Sequence, residues 1–213
     1  MQDDHDDAIA LYYWTTPNGR KIAIMLHELD VPFELRPVDI NAGEQFHPDF
    51  LKISPNNRIP AIVDPDGPDG QPLAIFESGA ILQYLGRKYD TLYPINERRK
   101  ADVDQWLFWQ VGGLGPMAGQ CLHFRVYAKE PVPYAIERYV KEVTRLFGVM
   151  ERRLEDRDYL AGEYSIADIA CYPWIARYDD LGQTFESFPR LKAWFDRVGA
   201  RPAVQRGMAF SAR

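Results

Sequence analysis

Three short stretches in the N-terminal part of the chain carry groups suited to holding a small peptide. The segment Thr15-Thr16-Pro17-Asn18-Gly19-Arg20-Lys21 follows an apolar and aromatic run, 9–14, and precedes Ile22, Met25, Leu26 and Leu29 at helical spacing. Thr16 falls at an N-cap and Pro17 at the first helical position, where a missing N–H costs nothing. A helix start of this kind collects unpaired amides and partial positive charge, and so stabilises an anion such as phosphate or thiolate. The second stretch is Arg58-Ile59-Pro60. With a cis bond before Pro60, the N–H and C=O of Ile59 would point outward and pair with an extended peptide as one more strand would. The third is Glu77-Ser78 at a helix start, where hydroxyl and free amides suit a carboxylate and Glu77 suits an ammonium. Together they would hold a short peptide with an α-amino-acid head. Taken singly, each also reads as a plain structural device: a cap, a tight turn and another cap.

The elements that must position these stretches follow from periodicity. The run 9–14 reads as a strand, 18–29 as a helix and 33–38 as a second strand, making a βαβ unit. A loop at 41–45 and a short helix at 48–53 lead to strands 61–63 and 73–76, joined by the turn-rich Asp64-Pro65-Asp66-Gly67-Pro68-Asp69-Gly70. Residues 77–89 form the next helix. Beyond them strand signals vanish, and long helical patterns cover 97–124, 133–157, 165–178 and 191–201. The chain therefore divides into an acidic disordered tail (1–7), an α+β domain (8–89), a linker (90–96) and an all-α domain (97–213). Ser165-Ile166-Ala167-Asp168 is a capping box, flanked by Tyr164 and Ile169 as a hydrophobic staple. Trp106, Trp109, Trp174 and Trp194 read as core.

Composition excludes several classes. With 213 residues, 46% hydrophobic content and a net charge of −6, the chain can bury a sizeable core but has no basic stripe for nucleic acid. No apolar run reaches membrane-spanning length, and the start lacks the features of a signal peptide. Cys121 and Cys171 form neither a disulfide framework nor a CxxC pair, which fits a reducing, cytoplasmic compartment.

The order Thr16-Pro17-Asn18, Ser54-Pro55-Asn56-Asn57-Arg58-Ile59-Pro60, Phe76-Glu77-Ser78-Gly79-Ala80 and Ser165-Ile166-Ala167-Asp168 resembles the cytosolic glutathione transferases, over nearly the whole chain after the tail. The stretches 106–117 and 133–139 bring it nearer to the bacterial nu class, glutathione-dependent disulfide-bond oxidoreductases. This resemblance implies a thioredoxin-like N-terminal domain followed by an all-α domain, assembled as a homodimer, with glutathione as co-substrate and no metal. It makes Pro60 the cis-proline and pairs Ile59 with the cysteinyl backbone of glutathione. Glu77 and Ser78 would hold the γ-glutamyl head, and Asn18 would face the sulfur with Thr16 beside it. Gln45 would contact the glycyl end, and Arg58 would join the binding set at a position where relatives often carry Lys. Arg138 would reach the ligand's carboxylates from the partner subunit. Many members place Tyr, Ser or Cys at the sulfur; here the first turn has no cysteine, and Tyr13 is expected in the core.

The expected chemistry is attack of the bound glutathione thiolate on a disulfide, with a second glutathione resolving the mixed disulfide. Cys121 is expected to be a buried thiol outside that chemistry. Rival readings keep the site but use it to conjugate electrophiles or reduce organic peroxides, or make the protein a glutathione-binding regulator without turnover.

Overall fold

A computed structural model describes residues 8–212; the stretch 1–7, expected to be an acidic disordered tail, lies outside them. β1 (Ile9–Tyr13) and β2 (Phe33–Pro37) pair in parallel across the connection made by α1 (Pro17–Leu29). The short α2 (Pro48–Ile53) precedes β3 (Ala61–Asp64) and β4 (Leu73–Phe76), which add antiparallel strands in the order β2-β1-β3-β4. α3 (Ser78–Lys88) follows β4. Leu11 lies opposite Leu35 on one side and Ile62 on the other, and Ile62 opposite Ile75. Leu11 and Ile62, with Ile22, Met25 and Leu26 of α1 and Ile81, Leu82 and Leu85 of α3, are fully buried at the centre of the unit, while Leu35 and Ile75 are half-buried. The alternation of β1 is visible in its burial: Ile9, Leu11 and Tyr13 point inward, while Ala10 and Tyr12 are half-buried.

α1 begins where the sequence places it. The Thr16 side chain accepts a hydrogen bond from the Gly19 amide at 3.1 Å, and Pro17 occupies the first turn. Asp30 closes the helix in the left-handed region, φ 52°, a conformation its short polar side chain tolerates.

A second unit spans Leu92–Arg201. It contains α4 (Glu97–Trp109), α5 (Gly115–Leu122), α6 (Pro133–Arg153), α7 (Ile166–Ile175) and α8 (Pro189–Gly199). The helix expected over 97–124 is broken by a π-helical turn at Gln110–Leu114, and another follows at His123–Tyr127. Gly112 and Gly113 lie in the first, where poor helix propensity favours a local widening. All ten residues of α7 are buried. Trp174 and Trp194 are core, as expected, whereas Trp106 and Trp109 are only half-buried and pack edge to face with ring centroids 5.2 Å apart.

The C-terminal segment departs from the expected boundary. α9 (Pro202–Ala209), which the periodicity did not reveal, belongs with the first unit and not with the helical one. It packs on α1, and Phe210 beyond it meets the rings of Tyr13, His27 and Phe33. The Tyr13 hydroxyl donates to the Phe210 carbonyl at 2.9 Å. The close approach is made at Gly207, where an added Cβ would lie 2.6 Å from the Ile24 backbone nitrogen and 2.7 Å from its Cα. Gly207→Val should therefore destabilise this unit by about 1–3 kcal/mol through overpacking, read as a lower urea midpoint at unchanged slope.

Candidate functional site

The three stretches singled out in the sequence converge within the first unit. Asn18, Arg58, Ile59, Pro60, Glu77 and Ser78 line one cavity of about 250 Å³, together with Ser54, Asn56 and Phe76. Each reaches it for a local reason. Asn18 sits in the first turn of α1, just past the cap. The loop before β3 is held by Ser54, fully buried, whose hydroxyl donates to the Arg58 carbonyl at 2.8 Å. Asn57 takes a left-handed conformation, φ 48°, and the Ile59–Pro60 bond is cis. β3 begins only at Ala61, opposite Tyr12 and Phe76, so Ile59 lies beyond the ladder. Neither main-chain polar group of Ile59 has a hydrogen-bond partner among the described residues. A peptide segment could pair with both.

Glu77 is the strained point. Its backbone lies at φ 71°, ψ 114°, a conformation that costs a non-glycine residue about 1–3 kcal/mol. It stands at the N-cap of α3, yet its side chain makes no capping bond. The first amides of α3 are consequently left to whatever occupies the cavity, and the helix dipole adds partial positive charge there. The exposed Glu77 carboxylate beside them offers the opposite sign. A zwitterionic α-amino acid presents a matching pair of charges.

Two side chains within the quoted stretches matter to which the sequence assigns no site role. Ser54 is one. The other is Lys21, 1% exposed, whose ammonium lies 3.1 Å from the Ser78 hydroxyl oxygen. The signal was available: Lys21 occupies the Pro17/Lys21/Met25 row of α1, a charged residue on a face otherwise committed to the core.

Three expected residues stand apart from the cavity lining. Thr16 uses its hydroxyl oxygen to cap α1. Gln45, in a single 3₁₀ turn at Glu44–Phe46 that overlaps the end of the expected loop, donates its amide to the Ile40 carbonyl at 3.3 Å. Its side-chain oxygen is buried without a hydrogen-bond partner among the described residues. Arg138 belongs to the second unit, exposed on α6, where it lines a cavity with Met117, Tyr134, Glu142 and Arg145.

The remaining nucleophiles are set apart. Tyr13 is fully buried, and burial raises its pKa. Cys121 and Cys171 are buried thiols outside any disulfide, and burial raises the pKa of Cys121 against a smaller opposing effect of Arg125. A thiol raised in this way is a poor nucleophile.

A thioredoxin-like sheet with a cis-proline loop, a strained helix start and a following all-helical unit defines a glutathione transferase, and the comparisons agree. Residues 15–88 match the family model "Glutathione S-transferase, N-terminal domain" and residues 120–202 match "Glutathione S-transferase, C-terminal domain". The chain belongs to the glutathione S-transferase family. It is 50% identical to the disulfide-bond oxidoreductase YfcG of Escherichia coli (strain K12), over 92% of this chain and 92% of that protein. Among solved structures, a glutathione transferase family member from Pseudomonas fluorescens pf-5 with two glutathione bound superposes with a TM-score of 0.91, at 42% identity over 97% of this chain and 95% of that one. A Pseudomonas putida glutathione transferase with one glutathione disulfide per subunit gives 0.91, at 41% identity over 98% and 94%.

Proposed function

We propose that the protein is a glutathione-dependent disulfide-bond oxidoreductase whose nucleophile is the bound thiol of glutathione. The observation that carries this reading is the cavity: peptide-pairing groups at Ile59, a zwitterion site at Glu77 and Ser78, and a polar amide at Asn18, with no cysteine in its lining. The γ-glutamyl head sits at Glu77 and Ser78, and the cysteinyl backbone pairs with Ile59. The sulfur faces Asn18 with Thr16 beside it, at the positive end of α1. Arg58 and Gln45 serve the glycyl side. The protein acts as a homodimer in which Arg138 of one subunit reaches the carboxylates held by the other. The two buried thiols, neither in a disulfide, support a cytoplasmic setting, where they stay reduced.

A free thiol titrates near 8.5, so only a few per cent is thiolate at neutral pH. Helix-end charge and a hydrogen bond from Asn18 lower that by about one to two units. The thiolate attacks one sulfur of the disulfide, forming a mixed disulfide and releasing the other sulfur as a thiolate. A second glutathione thiolate then attacks the glutathione sulfur of the mixed disulfide, giving glutathione disulfide and the second substrate thiolate. Two glutathiones are oxidised for each disulfide reduced.

Relative turnover on a small disulfide, an aryl halide and an organic peroxide tests the assignment. The disulfide is expected to be the best substrate. A clear preference for the aryl halide or the peroxide would replace this reading with conjugation or peroxide reduction, and tight glutathione binding with no turnover would leave a regulator. Cys121→Ser should keep disulfide reduction within about twofold of wild type, since a buried thiol contributes no thiolate; near-complete loss would refute the cysteine-free mechanism.

A further inference from the structure

We propose that Lys21 is a positioning residue for the ligand's γ-glutamyl carboxylate, acting through Ser78. The proposal rests on the glutathione reading above and concerns how the head group is recognised. Lys21 is 1% exposed on α1, Ser78 is 7% exposed at the start of α3, and the ammonium lies 3.1 Å from the hydroxyl oxygen. Ser78 lines the cavity; Lys21 stands behind it.

The consequence follows from donor and acceptor counting. An ammonium donates and cannot accept, so the oxygen of Ser78 is the acceptor in this contact. The hydroxyl hydrogen must then point elsewhere. A serine at a helix start whose hydroxyl is free to rotate can present either a lone pair or a hydrogen to a ligand. With Lys21 occupying one of the two lone pairs, the hydroxyl hydrogen is turned away from Lys21 and is available to a ligand, and a donor beside the unpaired amides of α3 favours a carboxylate over a neutral or cationic group. A methionine of similar length would fill that space without the cost of desolvating a charge, so packing alone does not account for the lysine.

The test compares two tripeptides by calorimetric titration into the intact protein. One is glutathione. The other is γ-aminobutyryl-cysteinyl-glycine, which lacks only the γ-glutamyl carboxylate. Wild type should prefer glutathione. Lys21→Met should weaken glutathione binding by about tenfold to a hundredfold, the range for a hydrogen bond to a charged group. It should leave the analogue nearly unchanged, so that the preference collapses. Equal losses for both peptides would mark Lys21 as merely structural and overturn the proposal, as would a preference left at its wild-type value. Ser78→Ala provides an independent arm should Lys21→Met not fold: with Lys21 intact, it too should erase most of the preference, and a preference retained there rejects the relay. Wild-type protein that binds neither peptide removes the glutathione reading itself. Binding of glutathione without a preference that depends on Lys21 and Ser78 removes the present proposal alone.

Discussion

Asp168→Ala is expected to lower the stability of the helical unit by about 3–5 kcal/mol, the largest effect of any single substitution considered. Asp168 is fully buried and gathers four donors. Its Oδ1 accepts from the Leu160 amide at 3.0 Å and from the Trp194 indole at 2.8 Å. Its Oδ2 accepts from the Ser165 amide at 3.1 Å and the Ser165 hydroxyl at 3.3 Å. Alanine leaves two amides and an indole N–H unpaired in the core, besides undoing the cap of α7, and the thermal midpoint should fall by about 10 °C. Asp168→Asn separates the contributions. Its carbonyl can keep the Oδ1 partners, but its amide then faces the Ser165 donors, an intermediate loss of about 1–3 kcal/mol.

Protonation sharpens this. Burial pushes the Asp168 carboxyl up to about 6 from an ordinary 3.8, against the opposing pull of its hydrogen bonds. A raised carboxyl pKa means that the folded state holds the proton more tightly than the unfolded chain. The stability from this linkage is therefore complete below about pH 4 and is lost as pH rises through about 6, a change of about 3 kcal/mol. The wild-type stability minus that of Asp168→Asn should decline across this window. A difference that stays flat from pH 4 to 6 would show that the hydrogen bonds outweigh burial.

The second large effect is on binding. Glu77→Ala should weaken glutathione by about tenfold to a hundredfold, because the ammonium of the γ-glutamyl head loses a charged acceptor. The side chain is exposed and caps nothing, so the loss should appear in titration or in KM with folding intact. Glu77→Gly should bind equally weakly but be more stable than the alanine variant by about 1 kcal/mol, since glycine tolerates the positive φ that alanine does not. A glycine variant no more stable than alanine would mean that the backbone relaxes once the carboxylate is gone.

Much of the site was legible in the residues. Thr16, Pro17 and Asp30 mark the ends of α1 through local capping chemistry, and Ser165 with Asp168 marks the start of α7. Such signals involve neighbours a few positions apart, so the chain states them without its fold. The strained φ of Glu77, the depth of Lys21 and the return of α9 were not legible in this way. The last two depend on atoms far off in sequence: Lys21 is buried against Ser78, and Gly207 matters only because Ile24 lies against it. The break in the helix expected over 97–124 is an intermediate case, since the glycines announce weakness but not which turn widens.

By itself the sequence determined the order of elements from β1 to α3, the three segments able to hold a peptide with an amino-acid head, and the absence of a cysteine from the first turn. Hydrophobic periodicity and caps are local, and they suffice for that. Only the tertiary structure decided that Asn18, Ile59 and Ser78 share one cavity, that Thr16 and Gln45 stand outside its lining, and that a buried ammonium stands behind Ser78. Convergence of segments distant along the chain is set by sheet pairing and by the packing of α1 and α3, which no short stretch encodes alone.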